Sequence, residues 1–155
     1  MAAIERKGRT RRIRLAIAGL SLLSASLPLS ADRAADVRSQ ISTIATALTA
    51  GNPADAMTPF DKSFPNYEKL SNYFQGLNAF TTNSEVDVTD EEDAADETKV
   101  TIHWTLTLND LGSNATERRS SDIDVRLVPR NGKWKIVDFS PISIFDPNAG
   151  PAKRP

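Results

Sequence analysis

Two periodicities divide the chain. After Asp32 the residues Val37, Ile41, Ile44, Ala45 and Leu48 recur at helical spacing and form one apolar stripe about three turns long, which places a helix against a core. Gly51 can end that helix in a left-handed cap, and Asn52-Pro53 offers an N-cap followed by proline at the first position of a short second helix, roughly Pro53 to Thr58. The segment Pro59 to Pro65 is a proline-bounded connector carrying Phe60 and Phe64, with Ser63 or Asn66 available to cap the next helix. That third helix puts Leu70, Tyr73, Phe74, Leu77 and Phe80 on one face.

From Glu85 the period changes to two. Val86 and Val88 alternate with polar neighbours; the acidic residues Asp90 to Glu97 read as a solvated connection; then Val100, Ile102, Trp104, Leu106 and Leu108 alternate with Thr101, His103, Thr105 and Thr107 in the most regular strand of the chain. Asp110 to Asn114 makes a turn, and a long strand runs from Thr116 to Val128. Asn131-Gly132 can fill the two positive-φ positions of a type I′ hairpin, and Ile123, Val125 and Leu127 share an inward face with Trp134 and Ile136. Pro141 breaks the sheet, Ile142, Ile144 and Phe145 are expected to add a short edge strand, and residues 147–155 read as a disordered tail.

The start of the chain has a different character. Arg6, Lys7, Arg9, Arg11, Arg12 and Arg14 precede an apolar run from Leu15 to Leu29, and Ser30-Ala31 precedes a polar switch at Asp32. That order is a signal peptide spanning 1–31 with cleavage after Ala31, the run being shorter than the roughly 20 residues a bilayer-spanning helix requires. An uncleaved anchor is the alternative. The expected product is an exported domain, periplasmic or secreted, covering 32–146.

Composition narrows the chemistry. With 19 Lys and Arg against 20 Asp and Glu the formal charge is -1, so nothing favours nucleic acid. The absence of cysteine removes disulfides, thiolate metal sites and a thiol nucleophile. The acidic run lacks the glycine and spacing of a calcium loop, and His103 is the only histidine, so no metal and no cofactor is expected. Asn114-Ala115-Thr116 matches a glycosylation acceptor whose use depends on the host.

Helices followed by antiparallel strands, ending in Asn131-Gly132-Lys133-Trp134-Lys135-Ile136-Val137-Asp138-Phe139, resemble the nuclear transport factor 2-like superfamily, which includes SnoaL-like proteins and ketosteroid isomerase. The resemblance covers Asp32 to about Asp146. It implies an α+β, cone-shaped fold in which three N-terminal helices pack on a curved antiparallel sheet that leaves a pocket. Members of that superfamily include isomerases, dehydratases, ligand binders and adaptors, so the resemblance implies little about activity.

Strict alternation puts Asp138 on the side of Trp134 and Ile136, where apolar walls would raise a carboxylate's pKa and fit it for general-base work, while a bulge near the strand end would equally turn it outward. Glu117 and Arg119 extend the inward parity of Ile123 toward the mouth of the cone, where Arg119 either holds an anion or pairs with Asp138 or Glu117. Asp61 lies in the connector between the second and third helices and reads as a turn carboxylate, with pocket lining, which such loops also do, as the alternative. These four and Trp134 are the pocket candidates. His103 has outward parity and belongs to the outer sheet face or a dimer interface. Tyr67 and Tyr73 match no oxyanion-hole pattern residue by residue. The first reading is a non-enzymatic exported domain that binds a small apolar ligand or a protein partner, with a homodimer through the sheet face. The alternatives are an isomerase or hydrolyase using Asp138, and a membrane-tethered adaptor.

Overall fold

The computed structural model describes residues 27–150. The expected export signal lies almost wholly outside the described residues, and among these no helix is long and apolar enough to cross a membrane.

Helix α1 spans Leu27–Thr49, running through the expected cleavage point, and buries Val37, Ile41, Ile44 and Leu48 along one stripe. Gly51 ends it with φ of 70°, a conformation in which a Cβ would be strained, and the Asn52 amide returns to the Ala47 carbonyl at 2.8 Å. Asn52 then caps α2 (Pro53–Met57), its side-chain oxygen accepting from the Asp55 amide at 3.2 Å. Helix α3 (Tyr67–Gly76) is an amphipathic stretch that buries Leu70 and Phe74. It stops one turn earlier than the apolar spacing suggests. A 3₁₀ turn, Leu77–Ala79, follows, and Phe80, expected on the helix, instead opens the first strand while still packing on the core.

Strands β1 (Phe80–Asp93), β2 (Thr98–Asp110), β3 (Thr116–Arg130) and β4 (Lys133–Ser140) form one antiparallel sheet in sequential order. The inward residues of β2, namely Val100, Ile102, Trp104, Leu106 and Leu108, are all buried against the helices. The closing turn has Asn131 at φ 50° and Gly132 at φ 77°, as a type I′ hairpin requires.

Three expectations need correction. The acidic residues Asp90 to Asp93 continue β1 and pair with Thr98 to Thr101, so the turn is confined to Ala94–Glu97; Asp90, Glu92 and Asp93 are exposed at the edge strand, while Glu91 is partly buried with Arg38 4.0 Å away. Ile142 to Phe145 are not an edge strand. Ser143–Phe145 is a 3₁₀ turn that dives into the core, burying Ile144 and Phe145, because two large apolar groups gain more from burial than an exposed edge offers. The expected tail also begins later, since Pro147 packs on Gly76 and the Ala149 carbonyl is bonded; residues 151–155 lie outside the described part.

Candidate functional site

The inward face of the sheet and the helices meet along an aromatic column. Phe145 lies 5.2 Å from Trp104, 5.3 Å from Phe74 and 5.9 Å from Phe139, centroid to centroid, mostly edge to face. Phe60 continues the column at 5.2 Å from Phe139. These rings are buried and fill the space between the helices and the inward face of the sheet. Within the column the indole Nε1 of Trp104 is buried without a hydrogen-bond partner.

The mouth of the column is closed by the C-terminal segment, and Arg119 closes it. Its Nε–H donates to Glu117 Oε1 at 2.8 Å and one Nη2–H to Glu117 Oε2 at 3.1 Å, a bidentate fork. Nη1 donates to the carbonyls of Ile144 at 3.0 Å and Asp146 at 2.6 Å, and Nη2 also donates to the carbonyl of Ala149 at 2.7 Å. Guanidinium carries five N–H donors, and this geometry uses all of them. With 9% of its side chain exposed, Arg119 has nothing left for an anionic ligand. Gly76 contributes from the other side: a Cβ there would lie 2.5 Å from Pro147 Cγ, so only glycine lets the segment seat this closely.

Asp138 is exposed, contrary to the alternation argument. The register of β3 with β4 slips between Arg126 and Leu127: Arg126 faces Asp138, whereas Leu127 faces Ile136, leaving Val137 as the extra residue of a bulge. Past the bulge the parity inverts, so Phe139 enters the column and Asp138 faces water, where its Oδ1 accepts from the Phe139 amide at 2.9 Å. The physical reason is a choice between neighbours, since burying Phe139 is favourable and burying an unpaired carboxylate is not.

The remaining candidates are scattered. Glu117 and Arg119 are brought together; Asp61 and Trp134 sit elsewhere. Asp61 is in the connector before α3, where the Ser63 hydroxyl and amide hold its carboxyl below the usual carboxylate range, with Arg130 and Lys135 adding to the effect. Trp134 is half-buried under the Arg33 guanidinium, 4.8 Å from the ring centroid. His103 lies on the outer face with Nδ1 2.7 Å from Asp122 Oδ1, as its parity implies. Among the described residues no set of three or more His, Asp or Glu gathers as metal ligands. What sequence reasoning missed is the plug itself, signalled by the apolar residues Ile142, Ile144 and Phe145 so soon after Pro141.

The larger concavities lie outside the column. A groove of about 810 Å³ separates α1 from β1, lined by residues that include Ile41, Ser42, Ala45, Ser84, Val86 and Val88. A smaller one of about 300 Å³ on the outer sheet face includes Asp138 among Asp90, Glu92, Lys99, Asp124 and Arg126. Carboxylates and cations are interleaved there, with Val100 and Val125 also in the lining.

No family model and no curated protein sequence matches the chain. Solved structures do. A putative scytalone dehydratase from Novosphingobium aromaticivorans aligns with TM-score 0.64 at 11% identity, covering 72% of this chain and 84% of that one. A protein of unknown function from Shewanella oneidensis, described as similar to nuclear transport factor 2, aligns with TM-score 0.55 at 8% identity over 69% and 96%. A type 2 hexachlorocyclohexane dehydrochlorinase aligns with TM-score 0.58 at 11% identity over 71% and 84%. At such identities the likeness shows the fold, and the chain has the nuclear transport factor 2-like, α+β cone fold.

Proposed function

We propose that this chain is a non-enzymatic, exported domain with the nuclear transport factor 2-like fold whose role is protein interaction at its surface. The observation that carries this reading is the filled cone: Phe74, Trp104, Phe139 and Phe145 pack along it, and Arg119 holds the plug through three carbonyls while Glu117 takes its other two donors. An isomerase or hydrolyase needs a base beside a substrate cavity, and the candidate base Asp138 is exposed. Binding of a small apolar ligand within the cone would first require Phe145 to leave. Export is the part of the proposal that rests on the basic and apolar order of residues 1–31, and N-terminal sequencing of the secreted protein tests it.

The central claim is tested at the two tryptophan indole N–H signals in a proton–nitrogen spectrum. Trp104 reports the column and Trp134 the surface. Titration with small apolar and aromatic ligands is expected to leave the Trp104 signal in place. A saturable shift confined to Trp104 returns the protein to the class of cone-binding domains.

A further inference from the structure

The free edge of β1 carries the strongest feature that the filled column leaves unused. Among the described residues β1 has one neighbour, β2, so alternate N–H and C=O groups along it point away from the sheet. Among the described residues, none of these outward groups has a backbone partner. From Phe80 to Val88 the strand keeps one register with β2, Phe80 opposite Asp110 and Val88 opposite Ile102, before a bulge at Thr89. That is a straight edge of roughly 30 Å at about 3.4 Å per residue.

The concave side of the edge opens into the groove of about 810 Å³ against α1. Side chains at alternate positions of an added strand would enter that groove, between Val86 and Val88 on one side and Ile41 and Ala45 on the other. Ser84 Oγ, which lines it, is buried without a partner. Apart from Arg38 and Asp87 at its charged rim, the groove is lined by small, β-branched and hydroxyl-bearing residues, a fit for small or β-branched residues.

Charge decides what kind of strand fits. β1 carries Glu85, Asp87, Asp90, Glu91, Glu92 and Asp93, and no lysine or arginine. Glu85, Glu91 and Asp93 have cationic partners at 3.7, 4.0 and 3.8 Å, in Arg118, Arg38 and Arg33. Asp87, Asp90 and Glu92 are exposed and have none among the described residues. Two copies of this edge placed together would set carboxylate against carboxylate, which disfavours a homodimer here.

We propose that the β1 edge is a strand-addition site for an extended segment of a partner protein in which lysine or arginine alternates with small or β-branched apolar residues. The apolar side chains lie in the α1–β1 groove, the cations lie on the outer face beside Asp87 and Asp90, and the main chain completes the ladder. This names a partner chemistry for the interaction role proposed above and rests on it.

The test uses the full chain and fluorescent, end-blocked Lys-Val repeats of about ten residues, a length matched to the straight part of the edge. Fluorescence anisotropy is expected to show saturable binding, and hydrogen exchange is expected to slow in β1 and not in β4. A Lys-Pro repeat has the same charge but no amide donors at proline, and is expected to bind about tenfold more weakly or worse. Asp87→Lys with Asp90→Lys is expected to weaken Lys-Val binding by about tenfold; Asp87→Asn with Asp90→Asn gives a smaller loss and serves if the reversal unfolds the protein. Equal binding of the Lys-Pro repeat would reduce the effect to nonspecific charge and overturn the proposal. So would slow exchange at the outward-pointing amides of β1 in the full chain alone, which would mean that another part of the chain or a second copy already covers the edge. Failure here with an unmoved Trp104 signal leaves the packed-cone reading standing, whereas a ligand-shifted Trp104 signal removes that reading whatever the peptides do.

Discussion

Replacing Arg119 by methionine removes the fork that ties Glu117 to the plug while keeping an apolar stem of similar length. The structure sets the magnitude from two directions. Hydrogen bonds to a charged group contribute about 1.5–3 kcal/mol each, and Arg119 makes such bonds to the carbonyls of Ile144, Asp146 and Ala149. Their plain sum overstates the loss, because those carbonyls can turn to water once the segment lifts. The ceiling is the cost of undocking, dominated by the Phe145 ring, and complete truncation of a buried phenylalanine costs about 3–5 kcal/mol. Arg119→Met is therefore expected to destabilise by about 2–4 kcal/mol. Urea titration followed by tryptophan emission measures it. Hydrogen exchange should locate it at the amides of Phe145, Asp146 and Ala149, which bond to the carbonyls of Ile142, Ser143 and Asp146, all at 3.1 Å. Arg119→Lys keeps the charge but lacks the planar fork, and should recover less than half of the loss. A loss below about 1 kcal/mol, with those amides as protected as before, would refute the claim that Arg119 closes the cone.

Phe145→Ala should cost about 3–5 kcal/mol and leave a cavity beside Trp104 that takes up benzene or indole, raising the melting temperature as ligand is added; a variant indifferent to both ligands would mean that the column collapses instead. Gly76→Ala should displace Pro147 and speed exchange at Ala149, even though alanine ordinarily favours a helix by up to about 1 kcal/mol over glycine; a stabilised Gly76→Ala protein would contradict the close approach. The Asp110 carboxyl is held below its usual range by the Ser113 and Gly112 amides, at 2.9 and 2.6 Å. A lowered folded pKa contributes stability above the unfolded value, about pH 4, and loses it as pH falls through the folded value. The stability gap between the native protein and Asp110→Asn should thus be widest near neutrality and shrink in acid, and a gap that widens in acid would reverse the assignment.

Much of the architecture was legible because it is written in periodicity. The α1 stripe, the alternation in β2 and the turn at Asn131-Gly132 each specify one local structure, and all three occur where the pattern puts them. The site was less legible, for two reasons. Alternation holds only while strands stay in register, and of the two orientations the sequence left open for Asp138 the bulge selects the outward one. The plug is a tertiary choice: Ile142, Ile144 and Phe145 announce burial but not where, and their destination is set by Arg119 and Gly76, far away in the chain. The pairing of Arg119 with Glu117 was among the expectations, but the three carbonyls that complete it belong to Ile144, read as edge strand, Asp146, read as the end of the domain, and Ala149, read as tail.

The extra residue at Val137 can also be viewed as a correction of phase. Read with a period of two from Trp134, the strand would deliver a carboxylate to the interior and a phenyl ring to water; one residue of slack resets the count, so that Ile136, Val137 and Phe139 are buried and Asp138 is released. In a scaffold whose interior chemistry is written on alternate positions of curved strands, such a slip is a two-state selector. The same letters, counted with it or without it, describe a packed interior or an acidic one.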